Sequence, residues 1–90
     1  MKVKVRYLGA FADAAHAKEA TYEFSHATLD SLLEKLIVKN GDKFRTLMLD
    51  PSTGAIRSGM TLLVNGQRLA LDHPLADNDE VTLLTPLAGG

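Results

Sequence analysis

Apolar and polar residues alternate from the start of the chain. Val3, Val5 and Tyr7 share one parity and Lys2, Lys4 and Arg6 the other, which predicts a strand over 2–8 ended by Gly9. The alanine-rich stretch from Phe11 to Ala17 predicts two short helical turns, with Phe11 tucked under the domain. Alternation returns in Ala20-Thr21-Tyr22-Glu23-Phe24, a second strand expected to pair back onto the first. The period then changes. Leu29, Leu32, Leu33, Leu36 and Ile37 fall at helical spacing and form one apolar stripe. Thr28 is the expected N-cap, Asp30 suits the first turn, and Asn40-Gly41 supplies a left-handed stop.

Downstream, Phe44, Leu47, Met48 and Leu49 are expected to pack as a short irregular segment, and residues 50–59 read as a loop by composition. Met60 to Val64 predicts a strand, Asn65-Gly66 a tight hairpin turn, and Gln67 to Leu71 the returning strand. Turns at Asp72-His73-Pro74-Leu75 and Asp77-Asn78-Asp79 lead to a last strand, Glu80 to Thr85. Two strands, a helix and three strands predict an α+β domain: a mixed five-stranded sheet with one main helix packed on one face. Residues 1–85 would form this domain and 86–90 a flexible tail.

Composition narrows the function classes. Ninety residues suit a single core, and an apolar fraction of 46% is ordinary for a globular chain. Ten basic against eleven acidic residues, a net charge of −1, give no electrostatic case for nucleic acid or a membrane as partner. The chain has no cysteine, so disulfides, thiolate metal sites and cysteine nucleophiles are excluded. No apolar run approaches the roughly 20 residues of a membrane span, and the alternating N-terminus does not read as a leader. A cytoplasmic protein is expected.

Enzyme templates come out empty: there is no phosphate-binding glycine loop, H-E-x-x-H or nucleophile-elbow serine. His16, His26 and His73 stand at no metal-ligand spacing, so surface or capping roles are expected and no metal site. Asp77, Asp79 and Glu80 lack the alternating pattern of a calcium loop and read as a turn feeding a strand.

The C-terminal end is where chemistry is expected. Gly89 and Gly90 follow closely on a predicted strand, and a frayed end or a cloning remnant would look the same. A carboxylate is a poor acyl donor until activated, for instance as an adenylate, and activation requires threading into another protein's site. Glycine, lacking Cβ, passes a narrow tunnel and adopts backbone angles closed to other residues. Gly90 leaves its acyl carbon unhindered, and Pro86, Leu87, Ala88 and Gly89 carry no charged side chain to desolvate on entry.

Three stretches carry a resemblance: Leu62-Leu63-Val64-Asn65-Gly66, Pro74-Leu75-Ala76-Asp77-Asn78-Asp79-Glu80-Val81, and Leu83-Leu84-Thr85-Pro86-Leu87-Ala88-Gly89-Gly90. With the order of strands and helix, they resemble the ubiquitin-like β-grasp sulfur carriers of the MoaD and ThiS type over the whole chain. The proline before the diglycine looks closer to MoaD, the small subunit of molybdopterin synthase. Asn78 stands where that family's corner usually has glycine, and asparagine tolerates the left-handed angles needed there. The charged Arg-Glu pair common in the family's first helix is replaced by Asp13-Ala14-Ala15, and the loop at 50–59 resembles a longer branch.

The resemblance implies that an adenylyltransferase related to ubiquitin-activating enzymes, using ATP and magnesium, joins AMP to Gly90. A sulfur donor then makes the thiocarboxylate. Catalytic residues would sit on the partners, this chain being a co-substrate with no permanently bound cofactor. Its acceptor would be the molybdopterin synthase large subunit or another sulfur acceptor. Transfer to thiamine, cysteine or tRNA, and conjugation of Gly90 to protein lysines, use the same tail and remain open.

Strand parity adds a docking expectation. If Val81 and Leu83 face the helix, Leu84 faces outward, as do Leu63 and Leu8 by the same logic. Three outward leucines near the tail's exit would form a partner-docking patch. Leu8 and Leu63 could instead cap the rim of the core.

Overall fold

The computed structural model describes residues 1–84. Four strands, β1 (Lys2–Leu8), β2 (Glu19–Glu23), β3 (Thr61–Val64) and β4 (Asp79–Leu84), form one mixed sheet in the order β2-β1-β4-β3. The two central strands run parallel, with Val5 opposite Val81 and Tyr7 opposite Leu83, while both outer pairings are antiparallel. Helices α1 (Ala10–Ala15), α2 (Leu29–Asn40) and α3 (Asp42–Met48) complete the fold.

Alternation decides which face is covered. Val3, Val5, Tyr7, Val81 and Leu83 are buried and meet Leu29, Leu32, Leu33 and Leu36 of α2, Phe11 of α1, and Phe44 and Met48 of α3. The Phe44 ring stands edge-on to Tyr7 and Phe11, with centroids 5.7 and 5.2 Å apart. Each fully buried leucine gains about 1.5–3 kcal/mol over exposure, so this shared core dominates stability in a chain without disulfides. Tyr7 buries its hydroxyl as well and keeps it satisfied against the Tyr22 hydroxyl, 2.9 Å away. Burial, and then the bond to Tyr22, push the Tyr7 phenol well above its ordinary range.

Thr28 is the N-cap of α2, as the sequence indicates. Its hydroxyl accepts the Ser31 amide (3.3 Å) while the Ser31 hydroxyl accepts the Thr28 amide (2.9 Å), a reciprocal box that satisfies two orphan donors. Gly41, at φ 87°, stops α2 and donates its amide to the Ile37 carbonyl. Its own carbonyl then accepts from Arg45 and starts α3 in a new direction.

Two expectations are corrected here. The segment around Phe44 is not irregular: Phe44, Leu47 and Met48 sit at i, i+3 and i+4, and seven residues close as a helix on that stripe. Among the described residues the sheet has four strands and not five. After Asn65-Gly66, whose positive φ angles (51° and 82°) make a type I′ turn, only Gln67 pairs back, through one bridge to Val64. Beyond it the backbone serves the helix. The carbonyls of Leu71 and His73 accept the amides of Asp30 and Leu29, and the Leu75 amide donates to the Ala27 carbonyl. Backbone groups committed to the start of α2 cannot also join a sheet ladder.

The loop at 50–59 is a closed turn. Asp50 and Ala55 bond through the backbone (2.8 Å), and Leu49 bridges Ile56. The Arg57 guanidinium donates to the Thr46 carbonyl at 2.7 Å, tying the loop to α3. The Ser52 amide, donating to the Asp50 carboxylate at 2.7 Å, holds that carboxyl below its ordinary range.

Candidate functional site

The sheet face away from the helices is built by the same alternation that builds the core. Arg6 and Leu8 of β1 point there, beside Thr82 and Leu84 of β4 and Thr61 and Leu63 of β3. Leu8 lies directly opposite Leu84 in the parallel register. Leu63 faces Thr82, which makes it the diagonal neighbour of Leu84, a relation that spans about 7–8 Å between backbones. The three leucines expected on the outward face are therefore brought together at the end of β4. Leu8 is 37% exposed, and Leu63 and Leu84 are half-buried.

None of the three joins the core or the partly buried ring packed on it among the described residues, whereas Leu62, of opposite parity, does.

Sequence reasoning missed the other half of this face. One strand step from Leu8 and Leu84 the surface turns charged: Arg6 pairs with Glu80 at 3.5 Å, and Lys4 with Glu19 at 3.3 Å. These side chains are about half exposed, so each pair is worth under about 1 kcal/mol and acts mainly to mark the boundary of the apolar patch. The signal was present, since Lys4, Arg6 and Leu8 share one parity, but their partners, Glu19 on β2 and Glu80 and Leu84 on β4, follow only from the strand pairing.

The corner before β4 fixes where that strand begins. The Asn65 side chain donates to the Asp79 carboxylate (2.9 Å) and accepts the Glu80 amide (2.9 Å), locking the hairpin turn to β4. Asp79 also accepts the Ala76 amide, and Asp77 the Lys2 amide at 2.6 Å. Asn78 adopts φ 68°, the left-handed angle expected of it. These acidic residues are thus a turn that feeds a strand, and among the described residues no cluster of metal-ligating side chains forms. His16 occupies the left-handed C-cap of α1. No helix of the described residues is long and apolar enough to cross a membrane. Thr85, the threading positions Pro86, Leu87, Ala88 and Gly89, and the reacting Gly90 lie outside the described residues.

One main helix clasped by a mixed sheet with parallel central strands, and an apolar patch on the open face beside the last strand's end, define a ubiquitin-like β-grasp protein. The profile of the ThiS family matches residues 5–90, and the chain belongs to that family of ubiquitin-like sulfur carriers and modifiers. No curated protein matches the sequence significantly. Among solved structures, SAMP1 of Haloferax volcanii is similar with a TM-score of 0.88 at 21% identity, covering 100% of both chains. A candidate molybdopterin converting factor, subunit 1, from Pyrococcus furiosus gives 0.77 at 26% identity, covering 97% of this chain and 99% of that one. A chain in the complex of subunits 1 and 2 of the molybdopterin-converting factor from Helicobacter pylori gives 0.62 at 21%, with 100% of each chain covered.

Proposed function

We propose that this chain carries sulfur as a thiocarboxylate on Gly90 and delivers it in molybdopterin synthesis, as the small subunit of molybdopterin synthase. The observation that carries the reading is the family match, which runs through the diglycine to residue 90. The likeness to the Pyrococcus subunit, 26% identical over nearly the whole chain, supports the choice of pathway. The Helicobacter complex supports a larger second subunit as the acceptor-side partner.

An adenylyltransferase supplied with ATP and magnesium joins the Gly90 carboxylate to AMP, and pyrophosphate leaves. Hydrosulfide, free or delivered by a donor protein, then attacks the acyl carbon. A C–S bond forms, the C–O bond to AMP breaks, and AMP departs with its electron pair. The chain has no cysteine, so it cannot hold sulfur as a persulfide, and a carrier role falls to the terminus. β4 ends beside the outward leucines, where an apolar contact to a partner would hold the domain while the terminus reacts in the partner's site.

The test incubates wild type, a variant lacking Gly90 and a variant extended by one residue with the adenylyltransferase, ATP, magnesium and sulfide, and weighs the intact proteins. Wild type gains the mass difference between sulfur and oxygen. Deletion moves the reacting carbon by about 3.3–3.6 Å in an extended tail, and a misplacement of only 1 Å can cost on the order of 100-fold. Equal modification of all three proteins rejects the mechanism. Isopeptide products on lysine, formed without a thiocarboxylate, would point to a modifier instead.

A further inference from the structure

Beside the outward sheet face, the molecule has a second unpartnered apolar surface on its helical side. Of the three large apolar residues that stand exposed among the described residues, Leu8 belongs to the sheet patch, but Val38 and Leu71 do not. Val38 is 85% exposed on α2, next to Ile37 and one helical turn beyond Glu34. Leu71, 39% exposed, helps line a groove of about 280 Å³ between α2 and the closed turn of residues 49–56, floored by Leu33, Ile37, Met48 and Ile56. That volume falls just short of the roughly 300–1,000 Å³ of small-molecule pockets and suits one or two aliphatic side chains of a polypeptide.

The groove's charge is one-sided. Asp30 and Glu34 line it, and among the described residues no lysine or arginine does. Neither carboxylate takes part in the ion pairs formed among the described residues. Asp30 complements the positive N-terminus of α2, but Glu34, past the first turn, has no such role. The lysines of α2 go elsewhere: Lys35 lies over the Phe24 ring (4.9 Å) and Lys39 over the Tyr22 ring (4.8 Å), on the flank toward β2. Helix α2 therefore separates its charges, cations over Tyr22 and Phe24 at the end of β2 and anions over an apolar groove.

We propose that this groove docks a segment of a partner protein that carries aliphatic side chains flanked by lysine or arginine. Leucine-type side chains would fill the cleft beside Leu71 and Ile37, and the basic residues would meet Asp30 and Glu34. A second copy of the chain is disfavoured, because a symmetric contact would place these carboxylates against their equivalents. The groove lies on the helix layer, so its occupant leaves the sheet patch and the end of β4 free. A carrier held here can still present its tail to a second protein. The proposal goes beyond the carrier reading and does not rest on it.

The test is a titration of the isotope-labelled protein, followed by amide chemical shifts, with a synthetic peptide holding two leucines between lysines. Saturable shifts centred on Glu34, Ile37, Ala55 and Leu71 are expected. Glutamates in place of the peptide's lysines should abolish them, and the double variant Asp30→Lys, Glu34→Lys should bind the lysine peptide about tenfold more weakly. Leu71→Ser, at an exposed position on the groove wall, should weaken binding without unfolding the domain, and Val38→Ser, outside the lining, should leave binding unchanged. Absence of saturable shifts, an equal response to both peptides, or shifts that depend on protein concentration alone each overturn the proposal.

Discussion

Leu84→Asp separates docking from folding, because the two neighbours Leu83 and Leu84 face opposite ways. Leu84 is already half-buried in the free domain, so docking removes only part of its surface from water, worth roughly 1 kcal/mol of the 1.5–3 kcal/mol for full burial. A carboxylate desolvated in that contact without a partner adds about 1–3 kcal/mol against binding. The sum, roughly 2–4 kcal/mol, predicts affinity for the adenylyltransferase lower by about 30- to 700-fold. Folding should suffer little. Leu84 pairs with Leu8 and Thr61 and touches no core residue, so the cost is a strand preference of at most about 1 kcal/mol. In a domain of this size that lowers the melting temperature by about 4–8 °C. Leu83→Asp is the control: its side chain is fully buried, and an unpaired charge there should cost more than about 4 kcal/mol and unfold much of the population. Calorimetric titration and thermal melts of both variants decide the matter. Unchanged affinity for Leu84→Asp refutes the docking role, and a Leu84 variant that melts as early as the Leu83 variant refutes the parity on which it rests.

Asn65→Ala should lower stability by about 2–3 kcal/mol, losing two hydrogen bonds to the start of β4 and placing a Cβ residue without a polar side chain at φ 51°. Asn65→Gly should recover the part due to backbone angle, and denaturant titration with an unchanged slope checks both. Thr28→Ala, which removes the reciprocal cap, should cost about 0.5–2 kcal/mol by the same assay. The Tyr7 phenol is raised in the fold, so its contribution is complete below the unfolded phenol's value near 10 and is lost as pH rises above it. Tyr7→Phe should therefore flatten the alkaline arm of the stability–pH curve, and an unchanged arm would assign that loss to other groups.

Local pattern determined much of this protein. The stripe of α2 with its Thr28 cap, the I′ turn at Asn65-Gly66, the left-handed angle at Asn78 and the outward parity of Leu8, Leu63 and Leu84 each depend on neighbours a few residues away. The carrier family was legible for the same reason, in short stretches around that turn, that corner and the diglycine. Three features were decided only in three dimensions. The fifth strand is lost because the carbonyls of Leu71 and His73 are drawn to the amides opening α2, a competition between segments more than forty residues apart. Helix α3 presents only two turns of apolar spacing, too little to separate from an irregular segment until Phe44 meets Tyr7 and Phe11. The acidic groove joins α2, the 49–56 turn and Leu71, and no periodicity links them, because side chains from distant segments share a surface only after the chain has closed around its core.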